Sequence, residues 1–386
     1  MTAGRPRGAG AGLLCLPAVV LGCTLDLSPK HDCRRPADCT GNRVCVAGTC
    51  QPPDTVDGAI PSPNYVFVTS AAVAIGSLNV AGADQTCAAA AAAAQLPGQF
   101  RAWLSTSTTD ALDRLQGARG WVRPDGAPFA DTLADIAAGR IFNAAFLDEN
   151  GARVSGLVIT GTAVNGRVDR VLDCDDWSAG ATGRAIAGTT DGTTGVWTYF
   201  TTLPCSEPAR LYCFGVDHFT TVAPSPPRGK IAFLSNDPFL VGGGLAAADA
   251  QCQDEAAGAG LAGEFRALLS APGLSAASRV QVNRNVLWSR VDGVPISRAG
   301  ADILFDATVL LAPLNVTSQK RYMDASVFTG ATGPNAAGDP PQTCGSWMAG
   351  SSATAGRANY LPWWFATGDA EPCTSHTAAI YCFQSD

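Results

Sequence analysis

Residues Ala81 to Ser105 read AGADQTCAAAAAAAQLPGQFRAWLS, and residues Ala246 to Ser270 read AAADAQCQDEAAGAGLAGEFRALLS. An offset of 165 positions matches 14 of the 25 residues without a gap, so the chain carries an internal repeat, and two similar units in tandem are expected. In each copy three small residues, Ala83, Cys87 and Ala91 or Ala248, Cys252 and Ala256, recur at i, i+4 and i+8. That spacing predicts a helix with one buried face. Asp84 and Asp249 fall where the helix is expected to open, so helix entry and ligand contact are both open to them. Leu96-Pro-Gly98 and Leu261-Ala-Gly263 then stop the helix, and the segments from Phe100 to Leu104 and from Phe265 to Leu269 alternate as strands do.

The repeat extends well beyond this stretch. Strands are predicted at Tyr65 to Val68 and at Ile231 to Leu234, and a second helix at Thr109 to Leu115. Trp121-Val-Arg-Pro-Asp-Gly-Ala-Pro128 returns as Trp288-Ser-Arg-Val-Asp-Gly-Val-Pro295, with Asp-Gly marking a turn. Arg123 and Arg290 in this motif could contact a ligand or form a structural salt bridge. Each copy also holds four cysteines, Cys87, Cys174, Cys205 and Cys213, then Cys252, Cys344, Cys373 and Cys382. Thr160-Gly161 and Cys174-x-x-Trp177 are answered by Thr329-Gly330 and Cys344-x-x-Trp347, and Leu211-Tyr-Cys-Phe214 by Ile380-Tyr-Cys-Phe383.

The remaining cysteines bear on the compartment. Residues 1–22 combine Arg5 and Arg7 with an apolar run from Ala11 to Leu21, the layout of a signal peptide, and end at Val20-Leu-Gly-Cys23. These four residues resemble the lipobox of bacterial lipoproteins, which implies lipidation at Cys23; an ordinary secretory signal is the alternative. No other stretch is long and apolar enough for a transmembrane helix, so lipid would be the membrane attachment. Cys33, Cys39, Cys45 and Cys50 form a small Cys-rich module within residues 23–50. Disulfides are expected there, with zinc as the competing reading, because spacings of five, five and four residues lack paired C-x-x-C knuckles. A Pro-rich linker covers 51–64, the repeats 65–216 and 230–386, and a second linker 217–229. The Pro-rich part of this second linker, Ala223 to Pro227, would hold two weak sites close together and so raise avidity. The net charge of -7, or -9 after loss of residues 1–22 with two arginines, argues against a nucleic-acid partner.

An early cysteine on the first helix, an inner pair about thirty residues apart, and a last cysteine in a terminal strand resemble the C-type-lectin-like fold. More narrowly, the frame is similar to the endostatin-like domains of bacterial surface lipoproteins. The resemblance implies an α+β architecture of two tandem C-type-lectin-like domains. It also implies nested bridges, Cys87 to Cys213 around Cys174 to Cys205, and Cys252 to Cys382 around Cys344 to Cys373; counting alone allows three pairings of each four. Thr24 after the lipobox cysteine suggests, by analogy with such lipoproteins, retention at the outer membrane and cell surface.

Sugar-binding members of that fold carry Glu-Pro-Asn or Gln-Pro-Asp and a Trp-Asn-Asp that ligate calcium. The first copy has neither, and the second has Gly333-Pro-Asn335 with glycine in place of the acid. Asp173, Asp175 and Asp176 form the densest acidic cluster, as a metal site of one copy or a solvated loop. The three histidines, His31, His218 and His376, leave the first repeat without one, so Ser-His, Cys-His and His-zinc chemistry are not expected there. No cofactor, metal or catalytic residue is assigned. The expectation is a non-enzymatic surface or adhesion module for a polysaccharide or protein ligand, with a calcium-dependent lectin or, further off, a hydrolase on this fold as alternatives. Candidate ligand contacts are Asp175, Asp176, Asn335, Trp363 and Trp364, with the loops from Thr162 to Asp173 and from Ala331 to Thr343. The aromatic run from Tyr360 to Phe365, like Trp197 to Phe200, would pack in the core or stack on a ligand.

Overall fold

The computed structural model describes residues 44–46, 49–51, 62–75, 78–169, 172–178, 182–280, 286–297 and 310–385. Cys23, Cys33, Cys39 and the signal segment lie outside them. Of the Cys-rich module, the strands Val44–Val46 and Thr49–Gln51 pair antiparallel, with Cys45 opposite Cys50.

The two repeats fold alike, as an α+β arrangement of short strands with one long helix each. In the first, a five-stranded sheet runs in the spatial order Phe100–Ala102, Tyr212–Gly215, Asn64–Val68, Trp121–Val122, Pro128–Ala130. In the second, the order Phe265–Ala267, Tyr381–Gln384, Lys230–Leu234, Trp288–Arg290 repeats the first four. Register repeats as well. Cys213 stands opposite Phe67 and Ala102, and Cys382 opposite Phe233 and Ala267. The opening and closing strands of each repeat are therefore neighbours. A smaller three-stranded antiparallel sheet accompanies each main sheet, made of Leu157–Ile159, Arg184–Thr189 and Thr201–Pro204, or of Ser326–Phe328, Ser352–Arg357 and Ala370–Pro372.

The helices Val80–Ala93 and Gly244–Gly258 bury the predicted face: Ala83, Cys87 and Ala91 in one, Ala248, Cys252 and Ala256 in the other. Small side chains let the helix lie close on the sheet, and Cys87 and Cys252 reach across to the closing strand. Within the two repeats the bridges take the nested pairing, Cys87–Cys213, Cys174–Cys205, Cys252–Cys382 and Cys344–Cys373.

Helix entry is not what Asp84 does. The first helix begins at Val80, capped by Asn79, whose side chain accepts from Gly82 N at 2.7 Å. Asp84 sits more than a turn inside, where both of its oxygens take Arg114 Nη2, at 2.6 and 2.7 Å, and Oδ1 also accepts from Ala102 N. Asp249 repeats this with Arg279 Nη2, at 2.8 and 2.7 Å, and Ala267 N. Each pair clips the helix to the neighbouring strand.

The linker is not a free tether. His218 N donates to Asn64 Oδ1 at 3.1 Å and Val222 N to Asp131 Oδ1 at 2.8 Å; the opening strand of the first repeat takes in Asn64, expected at the end of the preceding linker, and Asp131 lies in the same repeat. Ser289 Oγ of the second repeat donates to Arg228 O at 2.8 Å. One core cluster also crosses between the repeats, with Ala144, Phe146 and Leu147 packed among second-repeat residues that include Leu314, Leu361 and Trp364.

Candidate functional site

The repeated Cys-x-x-Trp motifs build an unusual backbone. Cys174, Asp175, Asp176 and Trp177 have φ of 53, 51, 54 and 61°. Cys344, Gly345, Ser346 and Trp347 have 47, 57, 64 and 65°. Four consecutive residues in the left-handed region are disfavoured for L-amino acids, so each turn must be held from outside. A disulfide holds its first residue. The last, a fully buried tryptophan, donates its indole N–H to a carbonyl, Trp177 to Ser105 O at 2.7 Å and Trp347 to Ser270 O at 2.9 Å. Gly161 and Gly330 explain the paired Thr-Gly: a Cβ on either would come within 2.5 or 2.7 Å of the indole Cζ2.

This geometry assigns the acidic cluster. Asp173, 4% exposed, accepts from Asp176 N at the start of the turn, a task that Thr343 Oγ1 performs for Ser346 N in the other copy. Burial pushes the Asp173 carboxyl above the usual carboxylate range. Asp176 is exposed and takes both the N–H and the hydroxyl of Ser107, which holds its carboxyl below that range. Asp175 is exposed beside Ser178, whose Oγ donates to it at 3.4 Å. Among the described residues no group of three or more His, Cys, Asp or Glu is placed to hold a metal ion. Asn335 is exposed in the Gly333–Ala336 turn of the second long loop, well separated in sequence from the first cluster and on the other repeat.

The arginines of the Asp-Gly motifs are structural. Arg123 pairs with Asp125 at 2.6 Å and donates to Ala144 O; Arg290 pairs with Asp292 at 2.6 Å and donates to Pro313 O at 2.8 Å. His218 lies 3.8 Å from Asp217, and its carbonyl accepts from Asn64 Nδ2. His376 is exposed between Cys373 and Cys382.

The two aromatic runs meet at the seam between the repeats. Gly192 and Tyr360, equivalent positions in the two copies, pair antiparallel. Thr193 N donates to Asn359 O at 2.9 Å and Leu361 N to Asp191 O at 3.0 Å, and these two bonds exchange when the repeats are exchanged. A local two-fold axis therefore passes through the pair. Side chains break the symmetry. Asn359 Nδ2 donates to Thr194 Oγ1 at 2.7 Å, and Arg153 pairs with Asp191. Beside the axis, Phe200 from the first repeat packs on Tyr360 and Trp363 from the second, with ring centroids at 5.1 and 6.0 Å; Tyr360 and Trp363 are 4.9 Å apart.

The paired tryptophans divide. Trp364 is 1% exposed and lies against Phe365 and Tyr381, so it belongs to the core and has no open face for a ligand. Trp363 is 38% exposed and Tyr199, next to Phe200 in the chain, 36%. Sequence reasoning singled out Trp363 but not its partners Phe200 and Tyr360 as one cluster, because nothing in either segment announces that equivalent loops pair with each other. Arg114 and Arg279 were also missed; their signal was the separation of 30 from Asp84 and Asp249 in both copies. Set against known proteins, the chain matches no family model and no curated sequence.

Proposed function

We propose that the chain is a non-enzymatic, exported, lipid-anchored surface protein whose two repeats are C-type-lectin-like domains acting together as a binding module for an extracellular polysaccharide or protein. The observation that carries this reading is the duplicated pair of nested disulfides, which ties the ends of each repeat together and pins the base of each long loop. Such bonds persist in oxidising compartments outside the cytosol. Loops on a rigid frame are where recognition is usually carried, and both long loops, from Thr162 to Asp173 and from Ala331 to Thr343, end at a bridged cysteine. Attachment at Cys23 would place this frame at the outer membrane and cell surface.

The test has two arms. Fractionation of cells expressing the full chain should find it in membranes, and Cys23→Ser should release it; membrane attachment that survives this change would overturn the anchor. The purified oxidised chain, applied to an array of polysaccharides and matrix proteins, should bind at least one of them with and without a chelator. Binding that disappears on chelation would favour a calcium-dependent lectin, and turnover of any glycan on the array would favour a hydrolase.

A further inference from the structure

We propose that the ring cluster at the seam is one composite site for a neutral glycan, present once per chain rather than once per repeat; this rests on reading the chain as a binding module. Of the eight tryptophans, Trp363 alone is exposed, and the other seven are buried. Its display is built rather than incidental. Pro362 fixes the turn Leu361–Trp363, Leu361 is tied to Asp191 O of the other repeat, and Trp364 is locked beneath, with its carbonyl accepting from Tyr381 Oη at 2.8 Å. The Trp363 ring is held by Tyr360 and, across the seam, by Phe200. A ring fixed in this way loses little freedom when a ligand stacks on it.

Three observations select the ligand class. First, an aromatic face is negative and an edge positive, so a fixed face complements the weakly positive C–H groups of a pyranose ring. Second, the polar group that the cluster itself carries is a hydroxyl, that of the half-buried Tyr360. The cations Arg153 and Arg357 are already paired, with Asp191 and Asp324, so neither is free to select an anionic polymer. Third, the size is right. With Trp363 exposing just over a third of its surface, the open aromatic face is on the order of 100 Å². A stable protein partner needs about 800 Å² on each side, whereas one sugar ring stacked on the indole needs no more than this. Affinity should accordingly be weak, with Kd on the order of 0.1–1 mM.

Because Trp363 alone is exposed, it can be read chemically in the full chain. N-bromosuccinimide should oxidise one tryptophan per molecule rapidly, located at Trp363 by peptide mass. Saturating cellohexaose, chitohexaose or mannohexaose should slow that oxidation at least about five-fold. Trp363→Ala and Phe200→Ala, one in each repeat, should each weaken binding at least ten-fold in affinity electrophoresis, while Trp363→Phe retains part of it. Thermal melts will show whether the alanine variants stay folded, and the protection experiment on the unaltered chain stands independently of them. A hexaose that binds without protecting Trp363 would overturn the composite site. So would failure of all three hexaoses to bind, and capture of a matrix protein in that case would leave the binding-module reading intact.

Discussion

At the scale of single residues, the polar groups that look like ligand contacts in the sequence are mostly consumed by the fold. Arg290 is the clearest case. Its side chain is fully buried, its guanidinium is matched by Asp292 and by the carbonyl of Pro313, and Tyr322 Oη adds a hydrogen bond to Asp292. Burial alone would raise the Asp292 carboxyl, but the Arg290 charge and these hydrogen bonds outweigh it and hold the carboxyl below its ordinary range. Removing one member of a buried pair leaves the other uncompensated, a cost of about 3–5 kcal/mol. Arg290→Met should therefore destabilise the chain by about that amount in urea unfolding, and Arg290→Met combined with Asp292→Leu should recover part of it. The sign of the pH effect follows from the depressed carboxyl. Its contribution is complete above about pH 4, the unfolded value, and is lost as pH falls through the lower folded value. Asp292→Asn should flatten the dependence of stability on pH below about 4, and an unchanged slope would show that the pair is not coupled to folding.

At the scale of elements, much was legible because the code is local or duplicated. Helix faces, the opening strands and the Asp-Gly turns follow from spacing, and the cysteine pairing follows from the resemblance. The left-handed turns were not legible: Asp and Gly visit φ above zero singly, but nothing in Cys-Asp-Asp-Trp or Cys-Gly-Ser-Trp calls for four such residues in a row. What imposes the conformation is tertiary: the bridge at one end and the indole against Gly161 or Gly330 at the other. Gly161→Ala should accordingly cost at least about 1 kcal/mol, because alanine at positive φ is strained before any clash with Trp177 is counted. The bridges should differ in kind. The outer bond of the first repeat spans 126 positions and the inner one 31, which in the chain-entropy model correspond to about 5 and 4 kcal/mol. Cys174→Ser with Cys205→Ser should therefore lower stability slightly less than the outer double change. Amide exchange should nonetheless rise sharply in the loop leading to Asp173, because that loop loses its anchor. Equal exchange in both variants would remove the anchoring role assigned to the inner bridge.

At the scale of the whole molecule, duplication and a Pro-rich linker lead in sequence to an expectation of two similar units held close together, and the folded chain joins them more directly than through the linker. Equivalent loops pair about a local two-fold axis, the linker lies along both repeats, and Ala144, Phe146 and Leu147 of the first repeat sit in a core otherwise built by the second. Sequence cannot reveal this, because a residue that packs against its own repeat and one that packs against the other carry the same apolar signature. The Phe146 ring lies between the guanidinium groups of Arg123 and Arg153, 4.3 and 4.1 Å from its centroid, so its removal unsupports two cations as well as a hydrophobic contact. Tethered beads would melt separately, each with its own midpoint. A shared core makes exposure of one repeat costly to the other, so calorimetry of the oxidised chain should show both repeats unfolding in a single transition. Phe146→Ala should cost about 3 kcal/mol or more, as for other buried phenylalanines. Since that loss falls on the coupling between repeats, the single transition should broaden or split in two. Two transitions in the unaltered chain would mean that the seam adds little to stability, and the composite site beside it would then have to be held by the second repeat alone.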